Sequence, residues 1–136
     1  MLRTMLVEDN AAFRSMVRDD LLSRFPSMKV IEASDGEEAF NGLASNPTDL
    51  IFMDISLPGE NGIMLTKEIK ADNHNLAVIM LSGYDGDEYQ RAALQSGANG
   101  FIGKDSVGLA EKISTVVSCF HGAKEAGRLK PGCLLV

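Results

Sequence analysis

Five polar side chains could do chemistry together if the fold brought them to one place: Glu8, Asp9, Asp54, Ser82 and Lys104. Each follows an apolar run. Met5-Leu6-Val7 leads into Glu8-Asp9, Leu50-Ile51-Phe52-Met53 into Asp54, Leu76 to Leu81 into Ser82, and Phe101-Ile102-Gly103 into Lys104. Three carboxylates crowded together repel; at an effective dielectric of about 20, two unit charges 4 Å apart cost roughly 4 kcal/mol. A hard divalent cation relieves this, and oxygen ligands with room for water suit Mg²⁺ (or Mn²⁺). A carboxylate beside such a cation, a hydroxyl and an ammonium is a good phosphoryl acceptor. Asp54 would attack phosphorus to form an acyl phosphate, with Lys104 and the cation neutralising the transferring oxygens. Ser82 would then donate a hydrogen bond to the attached group. Lys104 is expected to pair with Asp54 beforehand.

For these residues to meet, the runs must be strands of one sheet with their carboxyl ends at one rim, where open α/β sheets hold their ligands. The sequence predicts that arrangement. Arg3 to Val7, Met28 to Ile31, Leu50 to Met53, Leu76 to Leu81 and Gly100 to Ile102 read as strands, the third and fourth continuously apolar, as buried parallel strands are. Between and after them lie helical patterns. Phe13, Met16, Val17, Leu21 and Leu22 face inward on a first helix from about Ala11 to Arg24, with Asn10 as its cap. Ser34 and Glu37 have capping-box spacing before a second helix with Ala39, Phe40 and Leu43 inward. Ile63, Leu65 and Ile69 mark a third, Asp87 to Gln95 a fourth, and Leu109, Ile113, Val116, Val117 and Phe120 a fifth. Strands alternating with helices imply a parallel sheet covered on both faces, with right-handed crossovers. The expected fold is therefore α/β, a doubly wound five-stranded parallel sheet with five helices. Residues 1–121 read as one domain and 122–136 as a tail or linker.

Bulk properties agree. The chain has 136 residues, 45% hydrophobic and 24% charged, enough for one domain with a real core. A net charge of -6 argues against direct nucleic-acid binding by this chain. No apolar run reaches the roughly 18 residues of a membrane span, and the amino terminus reads as a mature strand, not a signal peptide. Cys119 and Cys133 form neither a disulfide scaffold nor a metal-spacing motif, so a cytoplasmic location is expected.

On these residues the chain resembles the receiver domains of two-component response regulators. The acidic pair Glu8-Asp9, the block Asp54-x-x-Leu57-Pro58-x-x-x-Gly62, Ser82 and Lys104 fall in that family's order and spacing, and the resemblance covers roughly Met1 to Phe120. It implies strand order 2-1-3-4-5. It implies Asp54 as phosphoacceptor, with the phosphohistidine of a sensor histidine kinase or a histidine phosphotransfer protein as donor. It implies Mg²⁺ held by Asp9, Asp54 and the backbone carbonyl of Ser56, with Glu8 acting through water. Ser82 becomes the switch hydroxyl, and Phe101 the aromatic that turns inward from an outward position. Ser56 and Tyr84, two residues beyond Asp54 and Ser82, would tune how long the acyl phosphate lasts. The face of the fourth helix, fifth strand and fifth helix is expected to bind an effector domain or a second copy. Where the family has Pro after the lysine this chain has Asp105, and a cis bond there would cost about 3 kcal/mol or more. The motif style is that of receivers followed by a helix-turn-helix domain, so the chain is expected to be a free-standing receiver or the receiver part of a longer regulator.

Three other readings compete. A haloacid-dehalogenase-type phosphatase needs a second acid two residues after its nucleophile, where this chain has Ser56. An unphosphorylated docking module would not need the complete set of side chains. An FMN carrier wants a Ser/Thr/Gly-rich first loop, and Glu8-Asp9-Asn10 would repel its phosphate.

Overall fold

The computed structural model describes residues 2–83 and 87–125. The elements run β1 (Arg3–Val7), α1 (Ala11–Arg24), β2 (Lys29–Ala33), α2 (Gly36–Ser45), β3 (Leu50–Asp54), β4 (Ser56–Leu57), β5 (Glu60–Asn61), α3 (Gly62–Asp72), β6 (Ala77–Ser82), α4 (Asp87–Gln95), β7 (Gly100–Gly103) and α5 (Leu109–Glu125). Five parallel strands form one sheet in the order β2-β1-β3-β6-β7. With β6 and β7 as the fourth and fifth main strands, this is the expected 2-1-3-4-5 order. Short β4 and β5 form a separate antiparallel ribbon, which the sequence reading took for loop.

The helices divide the core in two. Val17 and Leu21 of α1 and Ile113, Val116, Val117 and Phe120 of α5 pack on one face of the sheet, against Leu6, Phe52, Leu81 and Ile102. Ala39 of α2, Leu65 and Ile69 of α3, and Ala93 of α4 pack on the other, against Met5, Met53, Met80 and Phe101. All five residues of β3 and all six of β6 are buried, as expected of central strands. Met16 departs from the expected inward set, being 55% exposed. Cys119, on α5, is disulfide-bonded. Among the described residues, no helix is long and apolar enough to cross a membrane.

Two helix starts differ in how closely they match expectation. Asn10 caps α1, its Oδ1 accepting from the Phe13 N–H at 3.0 Å. At α2 the cap is Asp35, not Ser34: Asp35 Oδ1 accepts from the Glu38 N–H, and the Glu38 carboxylate reaches back to the N–H and hydroxyl of Ser34, both at 2.7 Å. The reciprocal box is present but shifted by one residue, because Gly36 is already the first helical residue.

Candidate functional site

Side-chain parity builds the site. Alternate residues of a strand face the same side. Leu6, Phe52 and Ile102 belong to the α1/α5 face of the sheet. Two residues further on stand Glu8, Asp54 and Lys104, so all three arrive at the carboxyl rim on that same side. The registers agree, with Leu6 opposite Phe52 and Asp54 opposite Leu81. Ser82 follows Met80 and so belongs to the α2/α3/α4 side.

Glu8, Asp9 and Asp54 each offer an oxygen, and the three lie within 4.8 Å of one another. Glu8 and Asp54 are buried at 4% exposure, whereas Asp9 is exposed. The loop carrying the first two acids is held from three sides. The Glu8 N–H donates to Ala33 O at 2.9 Å, Arg14 Nη1 donates to Glu8 O at 2.6 Å, and Glu8 Oε2 accepts from the Asn10 N–H at 3.1 Å. Arg14 in turn pairs with Glu32 of β2. Asp54 Oδ1 accepts from the Ser56 N–H at 3.2 Å and lies 3.3 Å from Lys104 Nζ.

Lys104 pairs with Asp54 as expected, and with Glu8 as well. Lys104 Nζ is in contact with Glu8 Oε1, closer than it is to Asp54. Glu8 Oε1 is itself buried, so this ion pair stands largely out of water. Burial pushes the Glu8 carboxyl up to about 7; Lys104 and the Asn10 N–H pull against that, and the Asp54 charge adds to it. Burial lowers the Lys104 ammonium, but the hydrogen bond and charge of Glu8 and the charge of Asp54 outweigh it, leaving the pKa raised. The Lys104 N–H donates to Ser82 O at 2.7 Å, tying the lysine strand to the hydroxyl strand. Among the described residues there is no cis peptide, so Lys104-Asp105 is trans.

Glycines shape the loop beyond Asp54. Gly59, at φ +72°, follows Pro58 in the turn of the β4–β5 ribbon, the Pro-Gly order of a type II turn. At Gly62 an added Cβ would stand 2.1 Å from the Asp54 backbone oxygen, so only glycine lets α3 start there. The Asp54-to-Gly62 spacing is thus a packing requirement.

Of the other predicted residues, Ser56 is an exposed member of the ribbon and Ser82 is 1% exposed. Phe101 is 6% exposed and packed inward among the α2/α3/α4 core, not outward. Tyr84 lies outside the described residues. The reading missed Phe13, whose ring centroid is 4.9 Å from Lys104 Nζ, because its helical spacing marked it only as core. It also missed Arg14, whose sole signal was a cation five residues after the acidic pair. An apolar hollow of about 410 Å³ between Phe40, Leu43, Ile69 and Leu76 lies at the opposite end of the strands, away from these groups.

Residues 4–115 match the family described as response regulator receiver domain. The response regulator UvrY of Escherichia coli (strain K12) is 30% identical over 125 residues, covering 91% of this chain and 56% of UvrY. The aerobic respiration control protein ArcA of the same strain is 32% identical over 100 residues, covering 74% of this chain and 41% of ArcA. The chain therefore spans about half the length of these relatives. A two-component response regulator of the LuxR family from Aurantimonas sp. SI85-9A1 superposes with a TM-score of 0.77 at 29% identity, over 98% of this chain and 88% of that one. A CheY-like receiver from Methanospirillum hungatei JF-1 shares the fold at TM-score 0.80 and 22% identity, over 93% of this chain and 99% of that one. The acidic cluster, three carboxylate oxygens within 4.8 Å of one another, has the donor chemistry for Mg²⁺. With the sheet order, the rim acids and the matched family in agreement, this chain belongs to the receiver domains of two-component response regulators.

Proposed function

We propose that Asp54 accepts a phosphoryl group from the phosphohistidine of a sensor histidine kinase or a histidine phosphotransfer protein. The observation that carries this reading is the buried Asp54 carboxylate flanked by Lys104 at 3.3 Å and by the acids Glu8 and Asp9. A carboxylate oxygen of Asp54 attacks phosphorus, the phosphorus–nitrogen bond breaks, and the imidazole leaves with its electron pair. The product is an acyl phosphate on Asp54. Lys104 balances the negative charge on the transferring oxygens and Ser82 donates a hydrogen bond to them. Mg²⁺, when bound by Asp9, Asp54 and the Ser56 carbonyl with Glu8 through water, supplies further charge neutralisation. Water later attacks the same phosphorus and restores the carboxylate, at a rate that Ser56 and Tyr84 tune. The chain is an acceptor that phosphorylates and dephosphorylates itself, not a turnover phosphatase, since Ser56 stands where a general acid would be needed.

The functional unit is residues 1–121, with 122–136 as a tail or linker. Ser82 and Phe101 relay the added charge to the α4, β7 and α5 face, which engages an effector domain or a second copy. Acetyl phosphate with Mg²⁺ should add one phosphoryl mass to the intact protein, and Asp54→Asn should abolish the addition. Equal labelling of the variant assigns the acceptor elsewhere.

A further inference from the structure

We infer that Phe13 is a positioning residue for Lys104, its ring face holding the lysine ammonium within reach of Asp54. The inference rests on Asp54 as phosphoacceptor. Lys104 Nζ stands 4.9 Å from the Phe13 ring centroid, inside the roughly 6 Å reach of cation–π attraction. Its other neighbours are carboxylates, Glu8 Oε1 in contact and Asp54 Oδ1 at 3.3 Å. The ring therefore closes the α1 side of the ammonium, and the lysine side chain is left only 20% exposed. Phe13 is itself fixed. Its N–H donates to the cap residue Asn10, and its ring packs against the α1/α5 core. The cap that starts α1 thus also fixes the Phe13 backbone.

The three neighbours differ in one respect. Glu8 and Asp54 belong to the acidic cluster, so any cation gathered there draws on their oxygens. Phe13 has no oxygen to offer a hard cation. Its hold on Lys104 persists when the carboxylates are engaged, which is when the ammonium must face the transferring oxygens. A lysine on a four-carbon stem loses reach and orientation without such a restraint.

Phe13→Leu keeps apolar bulk and removes the ring face; Phe13→Tyr keeps both. At saturating Mg²⁺, labelling of Phe13→Leu by acetyl phosphate should slow by about 2- to 30-fold, the span of measured cation–π strengths, while Phe13→Tyr stays near wild type. The ring-current displacement of the Lys104 Cε protons, read by NMR without phosphate or metal, should vanish in the leucine variant and persist in the tyrosine one. Unchanged labelling of Phe13→Leu overturns the inference, and so does equal slowing of both variants, which marks a packing defect. Should Phe13→Leu not melt cooperatively, Phe13→Met serves as the ring-free variant. A wild-type protein that takes no phosphoryl group removes the phosphoacceptor reading instead, and the ring-current measurement then still tests the contact.

Discussion

Among single residues, Glu8 is under the most electrostatic strain. Its carboxyl titrates near 7 in the fold and near 4.5 in the unfolded chain, with burial as the main cause. Below pH 4.5 both states hold the proton and there is no penalty. Between pH 4.5 and about 7 only the unfolded state releases it, so stability falls as pH rises, and the penalty is complete above about 7. Lys104 works the other way: its raised pKa contributes stability below the ordinary lysine value that is lost only at strongly alkaline pH. Glu8→Gln mimics the protonated carboxyl. Without divalent cations, its melting temperature should match wild type at pH 5 and exceed it by a few degrees at pH 8. Equal or lower stability at pH 8 in thermal melts means that attraction to Lys104 outweighs burial.

At the scale of elements, two glycines separate close approach from conformational freedom. A Cβ at Gly62 would meet the Asp54 backbone, which cannot swing aside as a side chain can. Gly62→Ala should cost about 1–3 kcal/mol in urea unfolding, in the range of overpacked cores. Gly122 lies within α5 with nothing within 4 Å of an added Cβ. Gly122→Ala should stabilise by about 0.5–1 kcal/mol, through the helical preference alone. The main elements were legible because their signals are local: apolar runs for β3 and β6, Asn10 before a periodic face for α1. The cap of α2 slipped by one residue because Ser34 and Asp35 are both good caps, and each has a glutamate three residues on. The β4–β5 ribbon was illegible because two-residue strands carry no period. Lys70 was likewise invisible. It reads as a surface cation, yet its ammonium donates to His74 O, Leu76 O and Asn99 Oδ1, stitching the end of α3 to the turn before β7.

For the whole molecule, the site follows from topology more than from any one loop. Parity carries three strands' core residues onto one face and then, two positions on, sets Glu8, Asp54 and Lys104 side by side. That convergence could be read from strand ends in the sequence. That Lys104 also touches Glu8 could not, because it depends on where the side chains settle at the rim. The rim gathers three of the acids behind the net charge of -6 around one ammonium, Lys104, so folding concentrates repulsion there that a bound cation would relieve. A ligand that binds only the folded state stabilises it by about 2.7 kcal/mol at a hundredfold excess over its Kd. Mg²⁺ should therefore raise the melting temperature, and the rise should grow between pH 6 and pH 8 as Glu8 gives up its proton. NaCl at matched ionic strength controls for screening of surface charge. The double variant Asp9→Asn, Asp54→Asn should lose the Mg²⁺-specific part while keeping the response to salt. An equal rise in NaCl, or a full Mg²⁺ response in the double variant, would mean that the three rim acids do not act together on a cation.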